Sequence, residues 1–381
     1  MKRFNFIIRE PYQNSFLQSF LSRIWLYLHI DMPLLIGLLL LVIVGLFVLY
    51  SASGMNLILI SQQLIRISIA FGIMIVFSQI PPRKYKAWAP WIFTISLMLL
   101  LIVLIIGAIS KGAQRWLSFG LISFQPSEIM KLTMPIMLAW YLSDKCFPPT
   151  LYTIIKCGVM LIIPVLITAV QPDLGTALII AFSGISVIFL AGVGWRLICG
   201  VNALGALSLP IIWHFMHSYQ RARVLTFLNP ERDPLGSGYH IIQSKIAIGS
   251  GGLLGKGWLN GTQSRLHFLP EHATDFIFGV CGEELGLIGC VVLLAIFLYI
   301  VGRGLYISSQ AQETFTRLLA GSLILTFFIS FFINIGMVTG ILPVVGLPLP
   351  LISYGGSSIV TLMAGFGIIM SIHTHRKLLS S

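Results

Sequence analysis

From Pro33 onward the chain runs apolar for about twenty residues at a time, the length a helix needs to cross a hydrocarbon core of about 30 Å. Ten such segments can be read, at 33–53, 57–80, 87–107, 122–142, 151–170, 174–193, 197–216, 276–301, 318–338 and 357–373. The expectation is an all-α polytopic membrane protein, a single ten-helix domain over 33–381. Hydrophobic residues fill 57% of the 381 positions and charged ones 9%, against about 25% charged in soluble domains. That balance excludes the two or three soluble domains that length alone would suggest. The net charge of +12 invites a nucleic-acid reading, but its placement fits membrane topology better, and no nucleic-acid partner is expected.

Arg83, Lys84 and Lys86 follow the second segment, Lys145 the fourth, Arg196 the sixth, Arg303 and Arg317 the eighth, and Arg376 and Lys377 the tenth. Lys2, Arg3, Arg9 and Arg23 precede the first. By the positive-inside rule both termini are cytoplasmic, and the long loop 217–275 between helices 7 and 8 is extracytoplasmic. The basic residues of that loop weigh little, because long loops cross largely regardless of charge. Within residues 1–32, Phe16, Leu17, Phe20, Leu21, Ile24 and Leu28 recur at helical spacing beside polar residues, which predicts a basic, amphipathic helix on the cytoplasmic surface. The stretch 339–356 is apolar but broken by Pro343, Pro348, Pro350 and several glycines, and reads as re-entrant or cavity-lining. The five cysteines lack C-x-x-C spacing and read as small core hydrophobes.

Polar groups gather toward the outer half of the membrane. Arg115 lies after the third segment, Glu128 and Lys131 open the fourth, Asp173 the sixth and Asp275 the eighth, while Arg66 sits a few turns into the second. Glu128 and Lys131, three apart, share a helix face, either as a structural ion pair or as chemistry. Asp173 and the Thr274-Asp275 pair could equally be helix caps. Glu283 and Glu284 read as packing or capping groups. The run 249–257 lacks the residues of a phosphate loop and reads as a flexible loop carrying the cation Lys256. His373 and His375 read as a solvated tail rather than a metal site.

Arginines and lysines beside an outer cavity suit a pyrophosphorylated lipid headgroup. A carboxylate at the boundary suits a general base for an incoming hydroxyl. Cations that stabilise a departing pyrophosphate complete a group-transfer site. A transporter of the same lipid would want the same cations, so both classes stand at this point.

Longer motifs add to this. Ser110-Lys-Gly-Ala-Gln-Arg-Trp116, Phe124-Gln-Pro-Ser-Glu-Ile-Met-Lys131, Gln171-Pro-Asp-Leu-Gly175, Gly238-Tyr-His-Ile-Ile-Gln-Ser244, Thr274-Asp-Phe-Ile-Phe278, Asn334-Ile-Gly-Met337 and Ser353-Tyr-Gly-Gly356 resemble, in order, those of the shape, elongation, division and sporulation (SEDS) family. Gly-Ala-Gln-Arg-Trp and the tail Thr-His-Arg-Lys favour its cell-elongation branch over its division branch. The resemblance implies a ten-helix glycosyltransferase of the bacterial cytoplasmic membrane that polymerises lipid II into peptidoglycan strands on the outer face. It also implies a class B penicillin-binding transpeptidase and an elongation complex with the actin-like cytoskeleton as partners. It places the essential loop aspartate on Asp275, an acid and a base on Glu128 and Lys131, the Gln-Pro-Asp acid on Asp173, and the loop after helix three on Arg115 and Trp116.

On this reading Asp275, Glu128 and Lys131 are catalytic, and Arg115, Trp116, Asp173, Arg66 and Lys256 bind substrate. An acceptor 4-hydroxyl attacks the donor's anomeric carbon with inversion and loss of undecaprenyl pyrophosphate. A divalent cation, Mg2+ or Mn2+, is left open, with no ligands assigned. The rival functions are a lipid II flippase and a non-catalytic scaffold of the elongation complex.

Overall fold

A computed structural model of the chain describes residues 29–110, 113–119, 122–194, 237–265 and 271–375, with scattered positions between 199 and 229. The expected amphipathic segment within 1–32 lies almost entirely outside the described residues, as does most of the apolar segment 197–216. Helices α1 (Met32–Ala52), α2 (Leu57–Gln79) and α3 (Pro82–Ile106) come first. Their starts are local. The Asp31 carboxylate accepts from Leu34 N and Asn56 from Ile58 N and Leu59 N, while Pro82 pre-sets the first turn of α3. Then come α4 (Pro126–Ser143), α5 (Leu151–Val170) and α6 (Leu174–Leu190). The second half holds α7 (Ser237–Gly251), the single turn α8 (Thr262–Arg265), α9 (Ile277–Ser309), α10 (Thr314–Val338) and α11 (Ser357–Thr374).

Among the described residues, seven helices (α1, α2, α3, α5, α9, α10 and α11) are long and apolar enough to cross a membrane, and α6 is a shorter apolar helix. Large apolar side chains such as Leu57, Ile65, Trp91, Ile105, Leu151 and Val170 point outward, as a lipid-facing surface requires. Inside, Phe297, Phe327, Phe331 and Phe366 stack and edge against one another where α9, α10 and α11 meet. Gly367 lets α11 approach α2 so closely that a Cβ there would lie 2.4 Å from Met74 O.

The structure refines or corrects several expectations. The spans are all helical as expected, with one small sheet added between α3 and α4. Strands β1 (Ala108–Ser110), β2 (Ala113–Phe119) and β3 (Ile122–Phe124) form a small antiparallel sheet in the order β1-β2-β3. The apolar segment 122–142 is therefore a strand and then a helix, because Gln125-Pro126 restarts the backbone. The long loop contains α7, which packs on α9, with the Ser244 hydroxyl donating to Val338 O at the end of α10. His373 and His375 are not a solvated tail. His373 Nδ1 lies 3.2 Å from Asp31 Oδ2, and the His375 ring stacks on His29 at 4.3 Å. Arg303 completes that end with two bonds to the Asp31 carboxylate (3.0 and 2.6 Å), tying α1, α9 and α11 together. Burial would push the Asp31 carboxyl up, but the bonds from Arg303 and Leu34 N and the charges of Arg303 and His373 hold it below the usual carboxylate range.

The run 249–257 is not a flexible loop. Helix α9 is broken at Gly286 (φ 64°, ψ −162°), which exposes backbone groups beside the break. The glycine run supplies their partners. Lys256 N donates to Glu283 O (3.0 Å), Gly257 N to Glu284 O (3.1 Å), Leu287 N to Gly252 O (3.0 Å) and Ile288 N to Leu253 O (3.2 Å). A break inside a buried helix needs such partners for its freed backbone groups, and only glycine permits the approach. A Cβ on Gly286 would lie 2.3 Å from Gly255 N.

Candidate active site

The stretch 339–356 has no helix or strand, as its prolines predict, and it collects the polar groups around itself. One side of Leu347–Ser353 walls a cavity of about 60 Å³ that opens into a larger recess. The remaining lining is mostly apolar, including Leu132, Ile179, Leu323, Phe327, Phe366 and Ile369. Glu128 and Lys131 are its charged residues. Lys131 Nζ lies 2.6 Å from Glu128 Oε2, the latter buried, and the Thr361 hydroxyl donates to the same oxygen at 3.2 Å. Their spacing on α4 makes the pair, and burying it without the partner would be costly.

One turn earlier, Gln125 Nε2 donates to Asp173 Oδ2 (2.6 Å) and Arg115 Nη1 lies 3.6 Å from Asp173 Oδ1. Asp173 also caps α6, accepting from Thr176 N at 3.2 Å. It is thus both the helix cap its sequence suggested and a partner of Arg115. Arg115 Nε is buried with no hydrogen-bond partner, so this guanidinium retains capacity for an anion. Arg115 and Trp116 are consecutive on strand β2 and so leave opposite faces of it, with Trp116 half-buried and paired to Ala108 across the ladder. Two residues into α6, Gly175 packs so tightly that a Cβ would lie 2.7 Å from Val345 O. The cavity wall at Leu347 and the Asp173 helix start therefore meet along the 345–347 backbone.

Asp275 adjoins the same backbone. Its Oδ2 lies 3.5 Å from where a Cβ on Gly346 would stand. Neither Thr274 nor Asp275 caps α9. Residues 271–276 form turns, and the helix opens after Phe276 without a side-chain cap. The Thr274 hydroxyl instead donates to Glu271 Oε2 (2.8 Å). Arg66 arrives from α2, its guanidinium 4.4 Å above the Tyr354 ring, whose hydroxyl donates to Gln62 Oε1 at 2.8 Å. Glu128, Lys131, Asp173, Arg115, Asp275 and Arg66 are all drawn toward 345–354.

Lys256 is not among them. Its Nζ lies 2.7 Å from Glu283 Oε1 and donates to Thr262 Oγ1 at 2.8 Å. Glu283 is fully buried and also accepts from Thr262 N (2.8 Å) and Gln263 N (3.0 Å), while Glu284 accepts from the Ser51 hydroxyl (2.5 Å). The two glutamates fasten the 256–263 stretch to the broken helix, in line with the packing role read from sequence.

Sequence reasoning assigned no role to Asn334 or His240, and gave Ser353 and Tyr354 only the cavity-lining role of their whole stretch. His240 on α7 stacks on Phe276 at 5.7 Å, and burial pushes its imidazole pKa down. Glu128 and Asp173 are each committed to a cation, and among the described residues no three His, Cys, Asp or Glu side chains converge to hold an ion. A Mg2+ ion held by one carboxylate and a substrate pyrophosphate needs no such cluster, and the roles derived below are those of the protein's own side chains.

The family model FTSW_RODA_SPOVE, described as cell cycle protein, matches residues 30–378. The chain is 54% identical over 357 residues to the peptidoglycan glycosyltransferase MrdB of Escherichia coli K12, covering 93% of this chain and 96% of that protein. It is 38% identical over 361 residues to a probable peptidoglycan glycosyltransferase FtsW of Geobacter sulfurreducens, covering 91% and 96%. Among solved structures, a chain from a peptidoglycan synthase complex, described as coordinating polymerization and crosslinking, superposes with a TM-score of 0.80 at 31% identity, over 91% of this chain and 99% of that one. The rod shape determining protein RodA of Thermus thermophilus superposes with a TM-score of 0.69 at 26% identity, over 91% and 98%.

Proposed function

We propose a mechanism that proceeds from one premise: the chain belongs to the FTSW_RODA_SPOVE family of cell cycle proteins. It is a RodA-type peptidoglycan glycosyltransferase, in line with its 54% identity to the Escherichia coli enzyme. Its substrate is lipid II, which it polymerises for cell elongation on the outer face of the cytoplasmic membrane. The chain spans that membrane ten times, with both termini and the Asp31–Arg303–His373 end in the cytoplasm. The observation that carries the reading is the buried Glu128–Lys131 pair at an apolar cavity whose wall also adjoins Asp275.

The cavity takes part of a polyprenyl chain, and the pyrophosphate lies toward Lys131 and Arg115. Each cation is balanced by an acid, Glu128 or Asp173, so the site stays stable until an anion competes for the cation. Asp275 accepts the proton of the acceptor 4-hydroxyl as its oxygen bonds to the donor's anomeric carbon. The bond from that carbon to the pyrophosphate oxygen breaks, and the charge left on undecaprenyl pyrophosphate falls to Lys131 and Arg115. Trp116 and Arg66 flank the substrate entrance.

A class B penicillin-binding transpeptidase crosslinks the product within an elongation complex that reaches the actin-like cytoskeleton. Support for the transpeptidase is the structural match to a chain of a synthase complex that couples polymerization to crosslinking. The test is glycan-chain formation from lipid II by purified protein with its transpeptidase, wild type beside Asp275→Ala. Chains from wild type alone support the reading. Absence of chains from both, with lipid II crossing vesicle leaflets only when the protein is present, would replace it with a flippase.

A further inference from the structure

Three consecutive carbonyls precede α9, and each is held by a different donor. Ala273 O accepts from Tyr354 N (2.9 Å), Thr274 O from the Ser353 hydroxyl, and Asp275 O from Asn334 Nδ2 (2.8 Å). The N–H groups of Thr274 and Phe276 both donate to Glu271 O (3.0 and 3.3 Å). The backbone around Asp275 is thereby fixed on both sides, and its carboxylate is the part directed toward Gly346.

The same two side chains also hold the cavity wall. Asn334 Nδ2 donates to Leu347 O (2.6 Å), and Leu349 N donates to the Ser353 hydroxyl (2.8 Å). Leu347, Leu349 and Ser353 line the cavity. Asn334 lies in the middle of the bundle with no exposed surface, and its Oδ1 has no hydrogen-bond partner. The orphaned acceptor is a standing cost, offset by the two backbone carbonyls that the amide's donors satisfy. One of those bonds holds the wall and the other the turn.

We propose that Asn334 and Ser353 are positioning residues that tie Asp275 to the cavity wall, so that a polyprenyl chain filling the cavity braces the base at the angle the acceptor hydroxyl needs. The inference rests on the reading of Asp275 as base. Misplacing a reacting group by about 1 Å can cost about a hundredfold in rate. The loss belongs chiefly in kcat, because neither side chain is placed against the pyrophosphate or the sugars and only the Ser353 hydroxyl reaches the lipid cavity.

The test measures kcat and KM for lipid II polymerisation by the full chain with its transpeptidase, for wild type, Asn334→Ala, Ser353→Ala and Asp275→Ala, with thermal melting to confirm folding. The expected result is a fall in kcat of at least about tenfold for Asn334→Ala and a smaller fall for Ser353→Ala, each with KM within about twofold. Ser353→Ala deletes a single hydroxyl and decides the question alone where Asn334→Ala does not fold. If Asp275→Ala is inactive while the folded variants keep kcat within about twofold, or lose activity through KM alone, the positioning role is wrong and the base stands. An active Asp275→Ala would remove both.

Discussion

Lys256 offers a sharp separation between a residue that binds substrate and one that builds the site. Its ammonium is 2.7 Å from the Glu283 carboxylate, with the lysine side chain 27% exposed and the glutamate 0% exposed. Replacing Lys256 by Met leaves that carboxylate buried without its countercharge, a loss of about 3–5 kcal/mol when one partner of a buried pair is removed. Thr262 and Gln263 still donate to it, which places the expectation at the low end, about 3 kcal/mol. The shift of about 2–4 °C per kcal/mol holds for about 150–250 residues and shrinks in longer chains, so the apparent melting temperature should drop by several degrees. Adding Glu283→Gln removes the stranded charge and should restore at least half of the loss, since the amide still accepts from Thr262 N. The assay is thermal unfolding of the purified single and double variants, with KM for lipid II measured at a temperature where all are folded. KM should stay within about twofold of wild type. A raised KM with an unchanged melting temperature would show that Lys256 faces the substrate and that the clasp reading is wrong.

Other consequences can be checked in the same preparations. Asp31 is held below its usual carboxylate range; its contribution to stability is therefore present above the unfolded value of about 3.9 and lost as pH falls through the lower folded value. Melting temperature should fall in acid, and Asp31→Asn should lower it at pH 7 while flattening the acid limb; an unchanged acid limb would show that other groups govern it. Gly286→Ala puts a Cβ 2.3 Å from Gly255 N at a φ of 64°, where a side chain alone costs about 1–2 kcal/mol; no stably folded protein should accumulate, and wild-type yield and melting would contradict the backbone clasp. Lys131→Met should lower kcat by about a hundredfold or more if its charge stabilises the leaving pyrophosphate, whereas Glu128→Gln should lose less; equal losses in the two would reduce the pair to a structural one.

The apolar runs were legible because backbone in lipid leaves few alternatives, and the prolines at 343, 348 and 350 announced the non-helical stretch that walls the cavity. The Glu128–Lys131 pair was legible from its spacing of three. The sheet was not, because Ile122–Phe124 continues into α4 without a change in hydropathy, and only Gln125-Pro126 marks the boundary. Helix α7 was hidden in a polar, glycine-rich stretch whose helicity is secured by packing on α9 rather than by periodicity. The pairings that organise both ends of the bundle join residues far apart in sequence, Asp31 with Arg303 and Lys256 with Glu283. No local pattern encodes them. The carbonyl clamp from Asn334 and Ser353 was invisible for the same reason, although both residues stood within the motifs that carried the family resemblance.

The most direct test of Asp275 as the base is a single-turnover measurement of undecaprenyl pyrophosphate release from lipid II, comparing wild type with Asp275→Asn, alongside lipid II binding to each. The expected result is a rate lower by about 10²–10⁴-fold with binding retained, because the amide keeps the shape of the side chain but cannot take the proton. Release at the wild-type rate by the folded variant would contradict it.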